Sequence, residues 1–157
     1  MSVYSDDNEM IDTVFMREAL RQAEIASDKD EVPVGAVITL DNRIIAKAYN
    51  QVESLRDPTA HAEMIAITQA TNTIASKWLY DCTIYVTLEP CSMCAGALVL
   101  ARIKRICFCA DDPKTGACGS VFNIVNSDKL NHKIEINKIP MEGAGAQLLS
   151  EFFRNKR

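Results

Sequence analysis

Two adjoining runs constrain the fold more than anything else in the chain. The apolar, β-branched run Thr83-Ile84-Tyr85-Val86-Thr87-Leu88 leads directly into Glu89-Pro90-Cys91-Ser92-Met93-Cys94-Ala95-Gly96-Ala97-Leu98. The first reads as a buried strand. Proline then stops the ladder and presets the first turn of a helix. Cys91 and Cys94 fall in that turn, three apart, so both sulfurs emerge on one side. Unpaired backbone N–H groups and the helix dipole favour an anion there and lower a thiol's pKa. The next β-rich run, residues 103–109, supplies a return strand, which implies a parallel pair joined by a right-handed crossover.

The rest of the chain is consistent with that unit. Residues 1–11 read as a flexible N-terminus. Asp12 or Thr13 caps a helix with Met16, Ala19, Leu20, Ala23 and Ala26 at helical spacing. Residues 34–40 and 43–49 flank Asp41-Asn42, a two-residue hairpin turn. Asp57-Pro58-Thr59 signals the start of a second long helix, with Met64, Ile65, Ile67 and Ala70 on its buried side. Ile134 and Ile136 alternate with polar residues as in an edge strand, and a last helix from Gly143 buries Leu148, Leu149 and Phe152. The expected architecture is α/β: one domain over residues 12–157, a three-layer α/β/α sandwich with a mixed five-stranded sheet. In such sheets, sites form beyond the carboxyl ends of the parallel strands.

Composition bears on compartment and partner. The start of the chain lacks the basic and apolar regions of a signal peptide, and no apolar run is long enough to span a bilayer, so a cytoplasmic location and no membrane partner are expected. In that compartment six cysteines are ligands and core residues rather than disulfides. The net charge of −4 argues weakly against nucleic acid, yet it is unevenly spread. Residues 1–31 carry nine acids against three bases, and residues 102–157 carry ten bases against six acids. Solvated faces and a phosphate-tracking patch explain that asymmetry equally well.

The chemistry lies in His61, Glu63, Cys91 and Cys94. Three nitrogen and sulfur ligands with an open fourth position describe a catalytic zinc; a structural zinc wants a fourth Cys or His. Cys107 and Cys109 share a strand face but read as core, Cys82 and Cys118 lack ligand-like spacing, and lone His132 reads as a surface or hydrogen-bonded residue. His61 and Glu63, two apart, face one metal only if a helix begins at His61 with its end toward the ion. Glu63 beside a zinc-activated water suits a proton shuttle rather than a solvated helix carboxylate. A thioredoxin-like redox site uses Cys-x-x-Cys without the upstream His-x-Glu.

His61-Ala62-Glu63 with Pro90-Cys91-Ser92-Met93-Cys94 resembles the zinc-dependent cytidine/deoxycytidylate deaminase superfamily. Val32-Pro33-Val34-Gly35-Ala36-Val37, Asp57-Pro58-Thr59-Ala60, Lys114-Thr115-Gly116, Asn131-His132 and Leu148-Leu149-Ser150-Glu151-Phe152-Phe153 are similar to its bacterial tRNA-specific adenosine deaminase branch. The resemblance spans roughly residues 12–157 and implies the cytidine deaminase-like fold. It also implies one zinc per chain on His61, Cys91 and Cys94, with water as the fourth ligand and Glu63 as the catalytic proton shuttle. The implied reaction is hydrolytic conversion of adenosine to inosine at the first anticodon position. The implied partners are a tRNA anticodon stem-loop and a second copy of the chain. Asn50 matches a position that contacts the target nucleoside, and Asp112 and Phe153 match positions near the flanking nucleotides; from the residues alone Asn50 reads as a loop or turn Asn and Phe153 as core. Two other readings stay open at this point: a free-base or nucleotide deaminase of guanine or cytidine type, and a non-catalytic zinc-stabilised RNA-binding module.

Overall fold

The computed structural model describes residues 6–156. The chain runs α1 (Asp6–Asp28), β1 (Gly35–Leu40), β2 (Arg43–Tyr49), α2 (Val52–Leu55), α3 (Ala62–Ile74), β3 (Cys82–Leu88), α4 (Ser92–Leu100), β4 (Arg105–Ala110), β5 (Glu135–Lys138) and α5 (Ala144–Asn155). The five strands form one mixed sheet in the order β2-β1-β3-β4-β5. β1 is antiparallel to both β2 and β3, whereas β3, β4 and β5 are mutually parallel. Asp41 and Asn42, at φ of 50° and 58°, make the hairpin turn in the left-handed conformation that matches strand twist.

Alternation along the central strands separates two apolar layers. Ile84, Val86, Ile106 and Phe108 face α3 and α4, packing on Ala62, Ala66, Ala70, Ala95 and Leu98. Tyr85, Cys107 and Cys109 face α1, packing on Met16, Ala19 and Leu20, with Leu148 of α5 against the same cluster. The result is the expected three-layer sandwich. All six cysteines are free thiols, and Cys107 and Cys109 are core residues. α1 approaches so closely that a Cβ on Gly35 would lie 2.1 Å from the Ala19 carbonyl oxygen. No side chain but hydrogen fits at that crossing.

The structure corrects several expectations. Residues 6–11, expected to be flexible, are the first turns of α1, whose Asp6, Asp7 and Glu9 complement the helix dipole; residues 1–5 lie outside the described residues. Asp12 is a buried residue within that helix rather than its cap. Pro90 precedes the first turn of α4 rather than occupying it: Cys91 is the N-cap residue and Ser92 opens the helix. Residues 58–59 form a turn, and α3 starts at Ala62. The buried stripe of α3 is Ala62, Glu63, Ala66 and Ala70, with Met64, Ile65 and Ile67 only half-buried. Alanine at those positions lets the helix lie close on the sheet.

Candidate metal centre and its pocket

α3 and α4 both begin beyond the carboxyl end of β3, and their N-caps meet. His61 caps α3 and Cys91 caps α4, each with extended backbone that turns its side chain off the helix end. An Asx turn at Asp57, whose carboxylate accepts from the Thr59 N–H and hydroxyl at 2.8 and 2.7 Å, sets the approach to His61. His61 Nδ1 lies 3.6 Å from Cys91 Sγ and 3.5 Å from Cys94 Sγ. The donor atoms of the three residues all lie within 4.8 Å of one another.

That spacing passes a simple test for zinc. Bonds of about 2.3 Å to sulfur and about 2.0 Å to nitrogen, at a tetrahedral angle, put the nitrogen about 3.5 Å from each sulfur. Both distances agree. One imidazole and two thiols are also the donor types zinc takes. The expected ligands His61, Cys91 and Cys94 are therefore together.

The electrostatics prepares one thiolate. Hydrogen bonds from the Cys94 thiol and from His61 draw Cys91 down to about 4. The shared proton stays on Cys94, pushed up by its bond to Cys91 and by burial. That proton leaves when a metal takes the site. Glu63, 4% exposed in the first turn of α3, borders the same space, and burial pushes its carboxyl above the usual carboxylate value.

A cavity of about 240 Å³ opens beside these groups. Asn50, buried, lines it; its Nδ2 donates to the Val32 carbonyl at 3.2 Å and its Oδ1 accepts from the Val52 N–H at 3.3 Å. One N–H and one lone pair of that amide remain for a ligand. Asp112 also lines the cavity, but its carboxylate is engaged by Lys114 N, Thr115 N and Thr115 Oγ1 at 3.0, 3.2 and 2.7 Å. Phe153 is not core: it is 49% exposed and borders an adjoining groove of about 770 Å³ with Lys114, Leu149 and Arg154. The groove and the cavity share Val32, Leu88, Asp112 and Thr115.

Two carboxylates of the cavity wall were not anticipated. Glu31, 1% exposed, accepts from Glu53 N and Ser54 N, both at 2.8 Å, and from Ser54 Oγ at 2.6 Å, which fixes α2. Burial pushes its pKa up, but the Ser54 and Glu53 hydrogen bonds outweigh it and hold the carboxyl below its usual range. Glu89, 2% exposed, takes backbone N–H groups from the segment after β4. The only sequence signal for either is an acid set directly against an apolar run, before Val32-Pro33-Val34 or after Leu88.

Known proteins resemble this chain in sequence and in fold. Residues 10–157 match the MafB19-like deaminase family. A tRNA-specific adenosine deaminase of Aquifex aeolicus is 52% identical over 143 residues, covering 91% of this chain and 94% of that one. A solved structure from a study of A-to-I editing by tRNA:A34 deaminases superposes with a TM-score of 0.84 at 41% identity, covering 87% of this chain and 99% of that chain. A guanine deaminase from Nitrosomonas europaea shares the fold, with a TM-score of 0.76 at 20% identity over 88% of this chain and 82% of that one. By sequence, fold and the meeting of His61 with Cys91 and Cys94, the chain belongs to the deaminase family that includes the tRNA-specific adenosine deaminases.

Proposed function

We propose that this protein hydrolytically deaminates adenosine to inosine at the first anticodon position of tRNA. The observation that carries the reading is the His61–Cys91–Cys94 triad with buried Glu63 beside it, at a cavity whose described lining contains no lysine or arginine. Such a cavity suits a base and its ribose and offers nothing to a phosphate. Cations appear only outside it, at Lys114 and Arg154 of the adjoining groove, where the backbone of a longer RNA would pass. At about 240 Å³ the cavity is below the range of about 300–1,000 Å³ usual for drug-sized ligands, so it takes one flipped nucleoside.

His61, Cys91 and Cys94 would hold one zinc per chain. Zinc there supplies a Lewis acid that brings the pKa of water to about 7. Glu63 accepts the proton of the attacking water and delivers it to the ring nitrogen beside the amino-bearing carbon. It next carries a proton to the departing amine, so that adenosine and water become inosine and ammonia. Its burial excludes bulk water as a competing acid or base. Asn50 orients the nucleoside through its remaining N–H and lone pair, and Phe153 offers an exposed ring for a neighbouring base. Asp112 acts through the loop it holds.

The protein works as a homodimer on this reading. An apolar groove between α3 and α4, lined by Ile67, Trp78, Ala97 and Leu100, is uncovered, and Leu100 is 76% exposed. A monomeric mass in light scattering overturns the dimer. Among the described residues no helix is long and apolar enough to cross a membrane. The substrate's location, the cytoplasm, is the proposed site of action.

The test is the purified protein on an anticodon stem-loop, against free guanine and free cytidine. Inosine formed only in the stem-loop supports the assignment, and turnover of only the free compounds overturns it. Chelation abolishes the turnover and added zinc restores it.

A further inference from the structure

The segment after β4, residues 111–120, walls the cavity with Asp112 and Thr115, and it is held from beneath by one side chain. Glu89 Oε1 accepts from Asp112 N at 3.1 Å and from Ser120 Oγ; Oε2 accepts from Cys118 N at 3.0 Å and Ser120 N at 3.1 Å. No lysine or arginine among the described residues forms an ion pair with it; its two oxygens are met by oriented N–H groups and the Ser120 hydroxyl. The segment closes round it tightly: a Cβ on Gly116 would lie 2.4 Å from Glu89 Cδ and 2.5 Å from Oε2. The same residues join the segment to the metal ligand. Glu89 N donates to Ala110 O, Ala117 N donates to Pro90 O, both at 2.8 Å, and Cys91 forms an isolated bridge with Gly116.

We propose that Glu89 is a positioning residue for the deamination: it sets the 111–120 wall at the width that grips the substrate nucleoside, without touching the reacting atoms. The inference rests on the deaminase reading of the same pocket. A carboxylate is required because only it accepts on both oxygens. In Glu89→Gln one oxygen becomes an NH2 that confronts backbone N–H donors, which releases part of the wall. A wall that contacts ground state and transition state alike changes KM and leaves kcat alone.

The experiment measures kcat and KM on the anticodon stem-loop for the wild type, Glu89→Gln and Ser120→Ala, with zinc content and melting temperature alongside. The expected result for Glu89→Gln is a KM raised about tenfold at a kcat within about threefold of wild type, with zinc retained. Ser120→Ala, which removes one donor and keeps the carboxylate, raises KM by about threefold and carries the test if Glu89→Gln does not fold. A lower melting temperature with unchanged KM, measured where both proteins are folded, overturns the proposal. A fall in kcat at unchanged KM overturns it too. A wild type inactive on the stem-loop is a failure of the deaminase assignment, seen before any variant is compared.

Discussion

Beyond the carboxyl end of β3 lies a buried carboxyl, Glu63, beside an imidazole and two thiols. On the other face of the sheet, toward the amino ends of β3 and β4, lies a second, Asp12, which accepts from the Tyr85 hydroxyl at 2.6 Å and from Arg105 Nη1 and Nη2 at 2.9 and 2.6 Å. Arg105 Nε reaches on to Asn137 Oδ1 at 2.6 Å. The two carboxyls are equally hidden, at 4% and 2% exposure. Their surroundings differ in kind. Among the described residues Asp12 has a bidentate arginine and a phenol, donors that tie α1 to β3, β4 and β5. Glu63 has no arginine, and burial works against its charge. Burial with a bidentate cation makes a clamp. Burial with a thiol and a backbone N–H but no cation raises the carboxyl, so that it can hold and release a proton.

The sharpest way to break the comparison is to remove Glu63. Glu63→Ala lowers stem-loop deamination by at least about 10²–10⁴-fold, retains zinc by metal analysis and melts no lower than wild type, because a desolvated carboxyl stabilises little. Persistent inosine formation in that variant sinks the proton shuttle. Arg105→Met gives the opposite profile. It takes the bidentate cation away from buried Asp12 and destabilises the fold by about 3–5 kcal/mol in denaturant titration, with kcat unchanged where the protein is still folded. A kcat loss matching the stability loss would mean that the two faces are coupled. Tyr85→Phe is milder, about 1–2 kcal/mol, and has a pH signature. Burial and the Asp12 carboxylate hold the Tyr85 phenol above its usual value, so the folded state keeps a proton that the unfolded chain loses near pH 10. Its contribution is complete below that pH and declines as pH rises above it. Alkaline melting curves should show this limb in wild type and lack it in Tyr85→Phe.

Much of the architecture was legible because it is written locally. The apolar spacing of Met16, Ala19, Leu20, Ala23 and Ala26 named the buried face of α1, and Asp41-Asn42 named the hairpin. The metal triad was legible because a strand, a proline and Cys-x-x-Cys restrict where two sulfurs can go, and His-x-Glu supplied the rest. Hydropathy failed on α3: it favours Met64, Ile65 and Ile67 for burial, whereas close helix–sheet contact selects small residues, so alanines went inside. The buried acids were illegible for another reason. Asp12 meets Arg105 across 93 positions, Glu31 meets Ser54 across 23, and Glu89 meets Ser120 across 31. Nothing beside them in sequence announces those donors, and a lone acid reads as solvated. Phe153 reads as core in sequence, but α5 turns it outward to the groove.

Sheet register has a consequence for the metal centre. Val86 is opposite Ala36 on one side and Phe108 on the other, and Cys91 follows five residues later. A slip of one residue along either ladder would exchange the two faces of the strand and carry the sulfurs away from the imidazole. The sheet therefore serves as the gauge that fixes ligand spacing, and loosening its ladder far from the pocket will register first as weakened metal affinity.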